Sequence, residues 1–200
     1  NKDFNLINKY IKLGLRYSLL LLVPATILLS AYSKEIILFL FSEKYSEAII
    51  LVSPLSFAFL FLALFLFLCS ILNGANKPLI SMTIAGFTLI ISLIANIILI
   101  PKYGLSGAAF ATLISSFLGL TIISIIIYII FKQLISFLSL IRILISALVT
   151  YYLAITNPLF YFIPSIIFYG VIFYILLYII GEINNKDILL IKSIFKKDQL

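Results

Sequence analysis

The residue types that usually perform catalysis or bind metal ions are scarce in this chain of 200 residues. Histidine is absent, which removes the commonest general base and the commonest metal ligand. The single cysteine, Cys69, lies inside an apolar run and is expected to be a small buried hydrophobic side chain. The sequence contains no phosphate-binding glycine loop, so we expect no enzyme active site, no metal site and no cofactor. The acidic residues lie at the ends of apolar segments, in loops or in tails, and they are Asp3, Glu35, Glu43, Glu47, Glu182, Asp187 and Asp198.

Two arginines are the charged residues best placed to bind a ligand. Arg16 lies about one turn inside the first long apolar segment, where a charge is costly unless it faces a cavity or reaches the interface. A guanidinium group suits phosphate, so Arg16 is a candidate contact for a substrate phosphate. The alternative is that Arg16 anchors the helix at the membrane surface. Arg142, near the start of a later apolar segment, has the same two interpretations.

Polar and helix-bending residues inside the apolar segments give three more candidates. Asn96 is a second candidate for substrate binding: it is predicted either to line a cavity or to form a hydrogen bond between helices. Pro24 lies near the middle of one segment and Pro54 in the first third of another. Each proline is a candidate hinge, the alternative being a static kink.

The composition determines the class of protein. The chain is 64% hydrophobic and 10% charged, whereas an ordinary soluble domain is about 45–50% apolar and about 25% charged. A soluble fold cannot bury that much apolar surface, so we expect an all-α integral membrane protein. The chain begins with Asn1 rather than methionine, and we expect it to be a fragment of a longer protein.

Six apolar segments are each about as long as the roughly 20 residues that cross a bilayer. The predicted transmembrane helices cover residues 13–33, 48–72, 79–100, 106–131, 138–155 and 159–180. Residues 1–12 carry a basic stripe and are predicted to form an amphipathic helix on the membrane surface. The connection 34–47 contains a short apolar stretch, 36–41, predicted to be an interfacial helix, and residues 181–200 are predicted to be a second basic amphipathic helix.

The positive charges predict the orientation. With six spans, both ends of the chain lie on one side, which carries eleven of the 14 lysines and arginines, while the other side carries Lys34, Lys44 and Lys102. The positive-inside rule places the crowded side in the cytoplasm. This asymmetry accounts for the net charge of +7 without nucleic-acid binding, and it predicts contact with anionic membrane lipids.

The stretch 96–112 predicts a tight helical hairpin. Pro101 disfavours a continuing helix, and Gly104 can adopt a positive φ. The small residues that follow at four-residue spacing share one helix face and allow a neighbouring backbone to come close. They are Gly107, Ala111, Ser115 and Gly119.

Three patches between about residues 13 and 132 resemble a known family. They are Arg16-Tyr17 with Pro24 and the segment 34–48, then Asn73-Gly74 with Lys77-Pro78, then Asn96 with Leu99-Ile100-Pro101, Tyr103-Gly104, Gly107-Ala108-Ala109 and Ala111-Thr112. Together they resemble the C-terminal part of polysaccharide-biosynthesis flippases, which belong to the multidrug/oligosaccharidyl-lipid/polysaccharide exporter superfamily.

The resemblance implies a two-lobe flippase of twelve to fourteen spans. Residues 13–131 are then a four-helix part of the second lobe, residues 138–180 a trailing helix pair, and the N-terminal lobe of the same chain is missing. The implied activity is movement of a sugar linked to a polyprenyl phosphate or pyrophosphate across the cytoplasmic membrane by alternating access.

Three alternatives remain open. The first is a drug or cation exporter of the same superfamily. The second is a non-transporting scaffold subunit of a polysaccharide synthesis complex, which would bind a glycosyltransferase. The third, a membrane-embedded glycosyltransferase, is disfavoured because the acidic residues are scattered rather than clustered at one membrane face.

Overall fold

The computed structural model describes residues 2–157, 162–184 and 187, with backbone alone for residues 2–6 and 162. Within these ranges the regular structure is helical and no strand occurs. The helices are α1 (Lys2–Ala31), α2 (Ser33–Phe41), α3 (Ile49–Gly74), α4 (Pro78–Phe131), α5 (Phe137–Thr156) and α6 (Phe162–Ile179), with a 3-10 turn at Glu43–Ala48. The prediction of an all-α membrane protein is confirmed.

Four of the helical segments are long and apolar enough to cross a membrane. They cover residues 7–31, 43–74, 78–131 and 137–156, while 163–179 is a shorter apolar helix. α4, with 54 residues, would be about 81 Å long if it were straight, more than twice the roughly 30 Å hydrocarbon core. A membrane can accommodate such a helix only if it folds back on itself. That the chain crosses the membrane six times stays a prediction.

The chain forms two compact units, residues 1–136 and 137–200. In the first unit, α1 packs on α3 and α3 packs on α4. The α1–α3 pair is antiparallel, because Ser30 meets Ser53 near one end and Gly14 lies against the Phe67 ring toward the other. Leu68 lies in the core of this unit and is fully buried.

α4 consists of two limbs, α4a (78–103) and α4b (105–131), joined at Gly104. This residue has φ 58° and ψ −133°, a conformation that only glycine adopts without strain. The positive φ predicted for Gly104 is confirmed, whereas the predicted end of the first helix at Ile100 is wrong, since helical geometry continues through Pro101 to Tyr103. Membrane helices tolerate proline, so the residue that can reverse the chain determines where the helix breaks.

The small residues of α4b pack against α4a, as their spacing predicts. A Cβ on Gly107 would overlap the Leu99 carbonyl, and a Cβ on Gly119 would lie 2.7 Å from Thr88 Cγ2. Since the contacts pair residue 99 with 107 and residue 88 with 119, the two limbs run antiparallel. Ala111, between them, is fully buried.

A glycine-type helix end closes α3 within residues 73–78, a stretch whose asparagines, glycine and proline are typical turn residues. Asn73 and Gly74 still belong to α3, and Asn76 takes the left-handed conformation with φ 57°. The Lys77 amide donates to the Leu72 carbonyl at 2.9 Å, and the Asn76 amide donates to Asn73 at 3.2 Å. This pair of bonds defines a Schellman motif, in which asparagine can replace glycine.

The second unit contains α5, α6 and the residues directly after α6. The Tyr169 hydroxyl donates to the Asn157 carbonyl at one end of the helix pair. Gly181, with φ 78°, ends α6 in a second Schellman motif, because the Glu182 amide donates to the Leu177 carbonyl at 2.9 Å. The predicted amphipathic tail, residues 181–200, lies outside the described residues except for 181–184 and 187.

The predicted division of the N-terminal region at residue 12 has no counterpart in the backbone. α1 runs without interruption from Lys2 to Ala31, so the basic stripe and the first span share one helix. The short interfacial helix predicted for 36–41 is part of α2, which begins earlier, at Ser33.

Candidate functional site

Arg16 lies on α1 and is half-buried. Its guanidinium carbon is 5.6 Å from the centroid of the Tyr17 ring, a cation–π distance. α1 ends at Ala31, so Arg16 lies about 22 Å along the helix from that end at 1.5 Å per residue. If Ala31 lies at one boundary of a core of about 30 Å, roughly 8 Å separate Arg16 from the opposite boundary. Arg16 can therefore contact a phosphate near that boundary or extend its side chain to the interface.

Asn96 lies on α4a and is bonded within its own helix. Its Nδ2 donates to the Ser92 carbonyl at 2.8 Å and lies 3.4 Å from Ser92 Oγ. One prediction was that the Asn96 amide forms a hydrogen bond between helices. In the structure it forms this bond within α4a instead. The structure gives no contact between Asn96 and Arg16, which lie on different helices.

The two prolines lie inside α1 and α3, and both are buried. The residue two positions after each proline carries a hydroxyl group. This group donates to the backbone carbonyl four residues before the hydroxyl-bearing residue. Thr26 Oγ1 donates to Leu22 at 2.9 Å, and Ser56 Oγ donates to Val52 at 2.7 Å. Hydrogen bonds of this kind, from a side chain to the backbone of the same helix, bend the helix slightly. They lie close to the position at which the proline, having no N–H, cannot donate a helix hydrogen bond.

A direct hydrogen bond joins the two proline-containing helices. Ser30 Oγ and Ser53 Oγ are 2.7 Å apart, and Ser53 directly precedes Pro54. A hydrogen bond of this kind between membrane helices contributes about 0.6 kcal/mol on average. We call Thr26, Ser30, Ser53 and Ser56 the hydroxyl seam. Ser30 and Ser53 meet between the two helices, while Thr26 and Ser56 are buried and bonded within their own helices near the prolines.

Sequence reasoning missed the charge pair in the second unit. Arg142 Nη1 lies 3.6 Å from Glu182 Oε2 and donates to the Gly181 carbonyl at 3.1 Å. The Glu182 side chain is 2% exposed and that of Arg142 31%. The pair ties the start of α5 to the Schellman turn after α6, which gives Arg142 a structural partner. The sequence did contain a signal for this pair. Arg142 and Glu182 carry opposite charges, and they lie at the ends of two consecutive predicted spans that face the same side of the membrane.

No acidic cluster with metal-ligand geometry occurs in the ranges that the structure describes. Glu35, Glu43 and Glu47 are all exposed around α2 and the 3-10 turn. The candidate features of the first unit are therefore a half-buried cation on α1 and the hydroxyl seam, and the two lie apart, since Thr26 is about 15 Å beyond Arg16 along the helix.

Comparison with known proteins gives two partial matches. The chain is 39% identical over 102 residues to an uncharacterized membrane protein of Methanocaldococcus jannaschii, which covers 51% of this chain and 20% of the relative. It is 35% identical over 96 residues to the capsular polysaccharide biosynthesis protein CapF of Staphylococcus aureus, covering 48% of this chain and 24% of that protein. The match thus spans about a fifth to a quarter of the relatives' length. No family model and no solved structure matches the chain.

Proposed function

We propose that this chain is part of a transporter that flips a lipid-linked oligosaccharide across the cytoplasmic membrane during polysaccharide biosynthesis. The observation that carries the proposal is the 35% identity over 96 residues to a capsular polysaccharide biosynthesis protein. The membrane location rests on the apolar helices and on the likeness to a second membrane protein. Both ends of the chain are proposed to lie in the cytoplasm, as the distribution of lysine and arginine predicts.

In this proposal Arg16 receives the phosphate of the lipid carrier. A guanidinium group offers several N–H donors in a fixed fork, which suits a phosphate or pyrophosphate. If α1 ends at one boundary of the hydrocarbon core, Arg16 lies about 8 Å inside the other, and its long side chain can reach a phosphate at that boundary. The Tyr17 ring beside it holds the guanidinium on the surface of α1.

The hydroxyl seam supports the conformational part of the proposal. Alternating access requires helices that bend or slide while their polar groups stay hydrogen-bonded. Pro24 and Pro54 each lack one helix bond, and Thr26 and Ser56 lie within two residues of them with hydroxyl groups that can change acceptor. We propose the prolines as hinges on this ground, and we propose that the chain contributes no catalytic group.

The test is a translocation assay with the full-length protein in proteoliposomes. The substrate is a fluorescent oligosaccharide on a polyprenyl pyrophosphate, and a membrane-impermeant quencher reports how much label remains on the outer face. We expect the wild type to move label between leaflets. Arg16→Ala should slow this at least about tenfold, the effect of losing about 1.4 kcal/mol of binding to a charged group, while Arg16→Lys keeps part of the activity.

Lys12→Ala is the matched control, since Lys12 is an exposed cation one turn earlier on α1. It should leave the rate near that of the wild type. If Arg16→Ala and Arg16→Lys both matched the control, Arg16 would be an anchor and not a phosphate contact. If the wild type moved no lipid-linked sugar but exported an organic cation, or moved neither, the flippase function itself would be refuted.

A further inference from the structure

A groove runs between α3 and α4a at the end of the helices where Lys77 lies. Its volume is about 440 Å³. The walls are apolar, with Phe65 and Leu66 on α3 and Leu79 and Met82 on α4a. The floor is formed by the buried small residues Cys69 and Ser81, and Ala85, which is exposed, lines the open side. Small side chains between two packed helices leave a channel that larger ones would fill.

The groove is about as long as one leaflet is thick. On α3 it extends from Phe65 to Asn73, which is about 12 Å at 1.5 Å per residue. Half of a typical hydrocarbon core is about 15 Å. Leu66 is 55% exposed and Met82 68% exposed along this length, so the groove opens sideways to the bilayer rather than into a closed cavity.

One end of the groove is polar, and a lysine precedes one of its lining residues in the chain. Asn73 lines it, and Lys77 is half-buried in the turn directly before Pro78. Within the described part of the chain Lys77 has no ion-pair partner. The Schellman motif fixes the backbone here, because the Lys77 amide is bonded to the Leu72 carbonyl. The backbone of a lysine is therefore fixed next to the polar end of an apolar channel, and its long side chain can place a positive charge within reach of that end.

Two further grooves lie in the same leaflet. One, of about 410 Å³, lies on α4b between Leu120 and Leu134, and another, of about 240 Å³, lies between the two limbs at Ile84 and Ile126. At the opposite end the limbs are held together by Gly107 against the Leu99 backbone. The three grooves therefore lie toward the Lys77 end of these helices and leave apolar space there.

We propose that this groove binds an anionic phospholipid, with one acyl chain between α3 and α4a and the headgroup phosphate at Lys77. The length of the groove matches a chain that crosses a single leaflet, and the charge near its polar end matches an anionic headgroup. A polyprenyl chain is much longer than one leaflet and would extend beyond the groove. This proposal is independent of the flippase function.

The experiment is native mass spectrometry of the full-length protein in a mild detergent. Phosphatidylglycerol and phosphatidylcholine with identical acyl chains are offered in turn, and bound lipid is counted. We expect the wild type to retain phosphatidylglycerol preferentially. Lys77→Gln should lower its retention about fivefold, the effect of one lysine near an anionic lipid headgroup. Lys102→Gln, at the other end of α4a and exposed, is the control and should change nothing.

A second pair of variants tests the groove itself. Ala85→Leu places a larger side chain in the groove and should lower retention of both lipids. Gly86→Leu, one residue further along, adds a side chain in open space and should have no effect. Because both variants add a leucine to the same turn, a difference between them is not a general effect on folding.

The proposal is overturned if Lys77→Gln behaves like Lys102→Gln, or if Ala85→Leu behaves like Gly86→Leu. Cys69 lines the same groove, so the last test uses Met82→Cys in a Cys69→Ser background of the full-length protein, with the new thiol labelled by a photoreactive maleimide. The proposal is also overturned if this label cross-links at high yield to a segment of the same chain outside α3 and α4. That result would show that protein, not lipid, fills the groove.

Discussion

Replacing Gly107 with alanine should destabilise the packing of α4a on α4b. The added Cβ would overlap the Leu99 carbonyl oxygen and lie 2.5 Å from its carbonyl carbon and 3.0 Å from the Ile100 nitrogen. All three atoms belong to the backbone of α4a, so no rotation of a side chain can relieve the overlap. The limbs must move apart, and every contact along the hairpin weakens.

The size of the effect follows from two opposing contributions. Alanine is a better helix former than glycine by roughly 0.5–1 kcal/mol, which favours the variant. Overpacking a close contact costs typically about 1–3 kcal/mol. Gly86→Ala provides the matched control, because Gly86 lies on α4a and a Cβ there meets nothing within 4 Å. The helix-propensity gain is common to both variants, so their difference, about 2 kcal/mol, reports the overlap alone.

Gly119 gives an intermediate case that tests the physical reason. A Cβ there would lie 2.7 Å from Thr88 Cγ2 and 2.8 Å from Thr88 Oγ1, which are side-chain atoms. Gly119→Ala should therefore cost less than Gly107→Ala. The double variant Gly119→Ala/Thr88→Ala should recover most of that cost, since the obstructing atoms are removed.

The assay is unfolding of the full-length protein in mixed micelles, with the free energy of unfolding measured as the fraction of denaturing detergent rises. The expected order of stability is Gly86→Ala, then Gly119→Ala, then Gly107→Ala. If Gly107→Ala were as stable as Gly86→Ala, the close approach of the two limbs would be refuted, and the four-residue ladder would have no packing role.

Two further predictions concern a backbone conformation and an ion pair. Gly104→Ala should lower the free energy of unfolding by about 1–3 kcal/mol, because φ 58° with ψ −133° is a region for glycine alone; an unchanged stability in the same micelle assay would mean that the chain does not reverse at this residue. Arg142→Gln should destabilise more than Glu182→Gln, because it leaves a carboxylate that is 2% exposed beside an amide. In a chain that already carries Glu182→Gln, Arg142→Gln should lower the free energy of unfolding by less than it does alone. If the effects of the two substitutions on the free energy of unfolding simply added, the ion pair would be excluded as a source of stability.

The α4 hairpin was predictable because its signal is local. Gly104 is the residue near Pro101 that can adopt a positive φ, and the four-residue spacing from Gly107 to Gly119 is specific to one helix face. The exact break was not predictable from Pro101, because proline inside a membrane helix is tolerated when only one hydrogen bond is lost.

The end of α3 shows where local rules do not decide. Gly74 and Asn76 both tolerate a left-handed conformation, and the structure uses Asn76. The choice depends on where the helix hydrogen bonds end, and therefore on how α3 packs against its neighbours. The Arg142–Glu182 pair is similar, since it joins residues 39–40 positions apart and depends on the packing of α5 on α6.

The sequence was enough to identify candidate residues such as Arg16, but it did not predict which atoms the candidate residues would contact. Arg16 is half-buried on α1, which its place one turn inside an apolar segment indicated. The bond of Asn96 to Ser92 was not anticipated, because an amide four residues after a serine can turn to its own helix as easily as to a neighbour. The hydroxyl seam was missed because serine and threonine at single positions in apolar helices carry no distinctive spacing.

The reversal at Gly104 has a consequence for biosynthesis. Leu99 and Gly107, which meet across the hairpin, are only a few positions apart along the chain, so the loop that must close is short and its entropic cost is small. α4a and α4b can therefore pair as soon as both have left the ribosome, before α5 is synthesised. The membrane insertion machinery would then receive residues 78–131 as one preassembled helical pair, whose backbone polar groups are already hydrogen-bonded within its own helices.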